Sequence, residues 1–363
     1  MNRRMLRYVD WALVAATLGL LVGGGVILFS ATRTFPDPWV FVKARVLHAA
    51  LGLGVLVVFT AVDYQALGRL WRPLWVVTVA LLATVDVIGR TAQGAQRWIP
   101  LGPLSFQPSE LAKLLLVITL AKHLDGHREL TTLRQLVPVL VHAAIPILLI
   151  IQQPDMGTSM VVAAILAAML FAAGTPLRWM GGLTAAGLAA APFLWGALHD
   201  YQRRRLLVFL DPSLDPLGAG YALIQSKIAV GSGQLFGKGF LQGTQNLLHF
   251  IPEQHTDFIF TVIGEELGFA GALVMLALFA VWLWRAGAAA MQAKDRLGTL
   301  MAVGILTMIA FHLFINVGMT VGLAPVTGIP LPFISHGGSA LLAMLAGTGL
   351  LLNIGMRRKK ILF

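Results

Sequence analysis

No cysteine occurs in the 363 residues, so a disulfide framework and a thiolate metal site are both excluded. Charge is scarce as well: Asp, Glu, Lys and Arg make up 12% of the chain, and acids are the scarcer kind, 16 against 27 basic residues. So few charges cannot clothe a water-facing surface. The chain is instead 57% hydrophobic, with a mean hydropathy of +0.79. In a bilayer every backbone polar group must be satisfied internally, so repeated apolar runs of roughly 20 residues read as spanning helices. The expectation is an all-α, polytopic membrane protein, a single integral membrane domain over 1–363.

About ten spans are expected, at 11–31, 44–63, 72–89, 109–124, 134–152, 157–174, 178–198, 258–284, 298–321 and 337–355. An even number puts both termini on one side. Arg3, Arg4 and Arg7 precede the first span, and Arg357, Arg358, Lys359 and Lys360 follow the last. Arg69, Arg72, Lys122, Arg128, Arg134, Arg178, Arg285, Lys294 and Arg296 fall in the loops of that same side, which the positive-inside rule makes cytoplasmic. The net charge of +11 is therefore topological, and nucleic acid is not expected as a partner. The first apolar run is long enough to span and lacks a small-residue cleavage site, so it reads as a helix rather than a signal peptide. One long extracytoplasmic loop, 199–257, breaks the pattern of short connections; it holds Arg203, Arg204, Arg205, Lys227 and Lys238.

Polar clusters gather at span ends on the outer side. Arg97-Trp98 precedes Gln107-Pro108-Ser109-Glu110, where Pro108 and Ser109 suit a helix start and Glu110 the positive end of the helix dipole. Glu110 and Lys113, three apart, share a helix face; they make either a structural ion pair or one wall of a polar cavity. Asp155 after Gln153-Pro154 reads equally as a helix cap and as a site residue. Asp86, inside the third span, is expected to face the bundle interior. The densest cluster holds Glu253, His255 and Asp257, followed by Glu265 and Glu266. On a continuous helix Glu265 would lie about 80° round from Asp257 and Glu266 about 180°, so two of the three carboxylates are expected to share a face. Asp257 is alternatively an N-cap. Finally, 316–340 is rich in Pro and Gly and reads as an irregular loop lying against protein. There Ser335 and the amides of Gly337 and Gly338 can offer donors to an anion at the start of the last span, unless the loop is purely structural.

These words, in this order, resemble the SEDS family (shape, elongation, division and sporulation). Its signature reads here as Asn316, Gly322-Leu323-Ala324-Pro325, Gly328 and Ser335-His336-Gly337-Gly338-Ser339-Ala340, with His336 where the family usually has Tyr, Ser or Ala. Arg97-Trp98, 107–113, 153–158, 251–260 and 264–268 extend the resemblance over nearly the whole chain, and the short tails and 252–257 look more like the elongation members than the division members. The resemblance implies a peptidoglycan glycosyltransferase in the plasma membrane of a bacterium, active on the outer face, that polymerises lipid II. It implies Asp257 as the essential aspartate. Arg97, Trp98, Glu110, Lys113, Asp155, Arg203, Arg204, Arg205, Lys227, Lys238, Glu253, His255, Ser335, Gly337 and Gly338 are then candidates for binding substrate, with a cationic pocket or a divalent cation, Mg2+ or Mn2+, stabilising the leaving pyrophosphate. The loop cations meet anionic membrane lipid headgroups on the alternative reading. A class B penicillin-binding protein is the partner the family implies. The rival functions are a lipid II flippase, with Asp86, Glu110 and Lys113 along its path, and a non-catalytic scaffold.

Overall fold

The computed structural model describes residues 7–92, 95–101, 104–127, 130–216 and 218–358, so Arg3, Arg4, Arg128, Lys359 and Lys360 lie outside the described residues. Among those described, ten long helices stand where ten spans are expected: α1 (Trp11–Thr32), α2 (Pro38–Ala61), α4 (Trp71–Ile88), α5 (Pro108–Asp125), α6 (Leu133–Gln152), α7 (Met156–Ala172), α8 (Leu177–Ala197), α12 (Ile259–Met291), α13 (Arg296–Val321) and α14 (Gly338–Met356). The short helix α3 (Tyr64–Arg69) joins α2 to α4. Seven of the ten are both long and apolar enough to cross a bilayer by composition alone. Among the others, α5 carries Glu110, Lys113, Lys122 and Asp125.

Burial sorts the helices into a centre and a rim. The apolar window of α14 is 89% buried, against 17% in α2 and α4. α14 packs on α2, α5 and α13; α12 packs on α1 and α13; the outward side chains of α2, such as Trp39, Val46, Leu51 and Val57, are left facing lipid. At one end of the bundle the start of α1 meets the end of α12 through Asp10 and Arg285, 2.7 Å apart. There too the end of α14 meets the start of α3 through Arg357 and Asp63 at 3.7 Å, and Asp295 before α13 accepts from Tyr64 and Gln65.

Three features depart from the sequence reading. Strands β1 (Arg90–Ala92), β2 (Ala95–Leu101) and β3 (Leu104–Phe106) form a small antiparallel sheet, in register Arg90 with Trp98 and Ile99 with Phe106. Asp86 is exposed, not interior; it sits two residues from the end of α4, where the chain leaves the bilayer. The 199–257 stretch is about half helical, with α9 (Asp200–Leu210), α10 (Ala219–Ser232) and α11 (Thr244–Leu247), and α10 packs on α12 and α13.

The loop also repairs a break in α12. Gly268 has φ 64° and ψ −161°, a region essentially reserved for glycine, and interrupts the helical ladder. Lys238 N and Gly239 N donate to the carbonyls of Glu265 and Glu266, while Phe269 N and Ala270 N donate to Gln234 and Leu235. The two fully buried carboxylates complete the strap. Glu265 takes Lys238 Nζ at 2.7 Å, Thr244 Oγ1 and the Gln245 amide; Glu266 takes Ser30 Oγ at 2.6 Å and the Leu241 amide. A Cβ at Gly268 would strike the Gly237 amide. Gly268→Ala is therefore expected to cost about 2 kcal/mol or more, read as a lowered Tm of the solubilised protein; an unchanged Tm would show that the break carries no constraint.

Candidate active site

At the end of the bundle away from Asp10, a cavity of about 300 Å3 opens between β2, α5, the start of α7, α9, the 253–257 turn and the 328–340 segment. Asp257 stands on its wall, in a turn just before α12 rather than inside it. The helical angles expected for Glu265 and Glu266 therefore do not apply, and those two carboxylates are spent on the strap.

Three clamps hold the 253–257 turn. Asn316 Nδ2, from α13, donates to Asp257 O and Ile329 O, each at 2.8 Å. Ser335 Oγ donates to Thr256 O at 2.6 Å and accepts from Leu331 N, and the His336 amide donates to His255 O at 3.0 Å. Arg45 of α2, buried in the bundle, in turn donates to Phe333 O and, at 3.2 Å, to Ser335 O. Both clamped segments hold a non-glycine residue at positive φ, Glu253 at 50° and Phe333 at 61°; such strain costs about 1–3 kcal/mol per residue and persists where the surroundings over-determine the backbone.

Charge is arranged around Asp257. The position a Cβ would take at Gly328, itself at φ 73°, lies 3.3 Å from Asp257 Oδ2 and 3.8 Å from Arg205 Nη1, so the carboxylate and guanidinium share one corner. Enclosure by protein, with Glu253 nearby, pushes the Asp257 carboxyl up to about 6, while Arg205 and Arg97 pull against that rise. Across the cavity His336 is held down to about 4 by burial and by His255, His48 and Arg45, and is neutral at pH 7.

Arg97, on β2, is fixed by the carbonyls of Gln153 and Pro154 and by Asp155 at 3.7 Å. Asp155 serves both of its expected roles, because it caps α7 through the Thr158 amide while facing the cavity and accepting from Gln107 Nε2 at 3.3 Å. Glu110 lines the floor. Behind it Lys113 Nζ lies 2.8 Å from Glu110 Oε1 and 2.8 Å from His312 Nε2. Because His312 Nδ1 faces the Pro330 carbonyl at 3.1 Å, Nδ1 carries the proton and Nε2 accepts from Lys113.

Of the residues singled out from sequence, the fold brings Arg97, Trp98, Glu110, Asp155, Arg205, Glu253, Asp257, Gly337 and Gly338 to the cavity, with Lys113 directly behind it. The others have different surroundings. Successive residues on α9 point about 100° apart, so Arg205 faces in, Arg204 faces out, and Arg203 turns back to the carbonyls of Trp195 and Gly196. Lys227 is exposed on α10, Lys238 is taken by Glu265, His255 packs edge-on to Phe35 and Phe41, and Ser335 is a clamp rather than an anion donor. The reading missed Arg45, His48 and His312, and gave Gln107 no role of its own within its polar cluster. A basic residue inside an apolar run, as at 45, 48 and 312, is the signal that would have found those three.

The sequence profile of the FtsW, RodA and SpoVE proteins, described as cell cycle protein, matches residues 5–360. The chain belongs to the SEDS family. It is 40% identical over 354 residues to the peptidoglycan glycosyltransferase MrdB of Escherichia coli K12, covering 97% of this chain and 95% of that one. It is 39% identical over 356 residues to the stage V sporulation protein E of Bacillus subtilis, covering 95% and 96%. Among solved structures, the rod shape determining protein RodA of Thermus thermophilus superposes with a TM-score of 0.73 at 33% identity, over 97% of this chain and 98% of that one. A chain from a structure described as structural coordination of polymerization and crosslinking by a peptidoglycan synthase complex superposes with a TM-score of 0.83 at 34% identity, over 96% and 97%. As a SEDS protein the chain places its signature loop, 316–340, against the turn that carries Asp257.

Proposed function

We propose that this SEDS protein is a peptidoglycan glycosyltransferase of the elongation type, which polymerises lipid II with Asp257 as general base. The observation that carries the reading is a carboxylate with its pKa raised to about 6, open to a polar cavity and cornered with Arg205. The 4-hydroxyl of the acceptor sugar attacks the anomeric carbon of the growing strand. Its proton passes to Asp257, the new O–C1 bond forms, and the bond from C1 to the pyrophosphate oxygen breaks. Arg97 and Arg205 stand where negative charge develops on the leaving pyrophosphate, and Arg97 is already oriented by its carbonyl partners before substrate arrives. Both guanidiniums also line an adjoining pocket of about 140 Å3 walled by Met156, Met160, Leu206, Pro325 and Val326. That pocket suits the first isoprene units of the lipid carrier while the sugars lie in the polar cavity.

Among the described residues no group of three or more His, Asp or Glu is placed to hold a metal ion. A Mg2+ or Mn2+ here would take one or two ligands from the cavity carboxylates and the others from the pyrophosphate and water, and would add to the charge stabilisation that the two arginines supply.

The cavity opens outward in this reading, because Arg69, Arg72, Arg285, Arg357 and Arg358 gather at the opposite end of the bundle, the cytoplasmic side of the bacterial plasma membrane. A class B penicillin-binding protein is the proposed partner, supported by the likeness to a chain of a complex that couples polymerization to crosslinking. Purified protein incubated with labelled lipid II, alone and with that partner, should yield glycan strands. Translocation of lipid II without polymer would support the flippase instead.

The rate should depend on pH through Asp257. Below about 6 Asp257 is protonated and cannot accept a proton, so polymerisation should fall about tenfold per pH unit there and level off above. His336 is held down to about 4 and burial lowers His255 from its ordinary value, so both imidazoles are neutral above pH 7. A flat profile from pH 5 to 7 would remove Asp257 as the titrating base.

A further inference from the structure

At the end of the bundle away from Asp257, the start of α1, the last turns of α12 and the end of α14 enclose a second polar cavity of about 300 Å3. Three guanidiniums line it, those of Arg7, Arg285 and Arg358, against one carboxylate, Asp10. Asp10 Oδ2 lies 2.7 Å from both Nε and Nη2 of Arg285, so that pair neutralises itself. Arg358 reaches Gln292 Oε1 through Nη1 alone, at 2.8 Å, and Arg7 has no ion-pair partner among the described residues. Three positive charges less one negative leave the cavity with a net charge of +2.

Val9, Leu13, Ala288, Ala289 and Leu351 give the lining an apolar wall, and Tyr8 and Gln292 are its other polar side chains. Trp11 and Trp284 stand next in sequence to Asp10 and Arg285, 68% and 67% exposed, and the Arg285 guanidinium lies 5.6 Å from the Trp284 ring centroid. Exposed tryptophans at helix ends mark the membrane–water boundary, so the cavity sits at headgroup depth.

We propose that this cavity binds the phosphodiester headgroup of an anionic membrane phospholipid. A guanidinium matches phosphate oxygens in a two-pronged geometry, and two uncompensated arginines over an apolar wall take a phosphate and its glycerol backbone together. An acidic peptide would satisfy the charges but leave the apolar wall and its flanking tryptophans without a role. The site joins both ends of the chain to α12, the helix whose other end follows Asp257.

Protein in neutral detergent can be titrated with cardiolipin, phosphatidylcholine, inorganic phosphate or a poly-glutamate peptide, with adducts counted by native mass spectrometry and Tm followed. Cardiolipin is expected to bind and raise Tm, and phosphatidylcholine and free phosphate to do neither. Arg7→Gln/Arg358→Gln should weaken cardiolipin binding about 10- to 30-fold, while Arg7→Lys/Arg358→Lys, which keeps the charge and loses the two-pronged geometry, should fall between it and the parent; an unchanged lipid-free Tm in both variants shows that the cavity is still folded. Arg69→Gln/Arg72→Gln, at the same end but outside the cavity, should change nothing. Equal loss in that control pair would reduce the effect to diffuse attraction and overturn the site. Binding of the peptide or of free phosphate in place of cardiolipin would overturn the lipid assignment.

Discussion

Asp257→Asn is expected to lower lipid II polymerisation by about 100- to 10,000-fold, the usual contribution of a positioned general base, while leaving the protein folded and inserted. Folding should survive because the turn is held by backbone groups: Asn316 grips the Asp257 carbonyl, Ser335 the Thr256 carbonyl, and the His336 amide the His255 carbonyl. The substitution keeps side-chain shape and every one of those bonds. It removes only the charge that accepts the proton, so kcat should collapse with little change in KM or Tm. Near-wild-type polymerisation by the variant, measured on purified lipid II, would take Asp257 out of the mechanism and favour the scaffold reading.

The second large effect is expected on stability. Lys113 is 1% exposed and is the one cation beside Glu110, whose Oε2 is buried with no hydrogen-bond partner among the described residues. Lys113→Met leaves that carboxylate without its cation at the floor of the cavity, a loss of up to about 3–5 kcal/mol for breaking a buried pair from one side. Glu110→Gln/Lys113→Met removes both charges together and should recover most of it, because the cost lies in the uncompensated charge. Thermal unfolding of the two single variants and the double closes the cycle. A Lys113→Met protein as stable as the parent, or a double variant no better than the single, would show that the buried pair within α5 adds nothing to stability. Lys113 also reaches the signature loop through His312 and the Pro330 carbonyl, so the single variant should lose activity beyond its loss of stability.

Much of the architecture was legible because the signal is long. A bilayer demands about 20 apolar residues per crossing, and ten such runs stood out from polar connections such as 63–70 and 292–297. The sheet at 90–106 was not legible, since three-residue strands carry too little alternation to be read. The strap from 233–247 onto α12 was hidden for another reason: it forms around a break at Gly268, and nothing in Gly264-Glu265-Glu266 announces that the helix stops being regular two residues later.

The candidate site divides in the same way. Asp257, Arg97, Glu110 and Asp155 were found because each sits in a polar word at the end of an apolar run. The three adjacent arginines 203–205 could not be told apart until α9 acquired an orientation that turns Arg205 alone to the cavity. Ser335 and Lys238 look like anion binders in one dimension; in three, a carbonyl and a carboxylate have already claimed them.

Composition and apolar spacing alone determined that the chain crosses a membrane repeatedly, since no other solvent tolerates so little charge, and the order of its polar words determined the family. Only the tertiary structure decided which polar side chains face the cavity and which tie loops together. In a helical bundle the partners of a group are set by which distant segments pack beside it: Asp257 meets Arg205, Gly328 and Asn316 from separate elements, and hydrogen-bond reach is only about 3 Å.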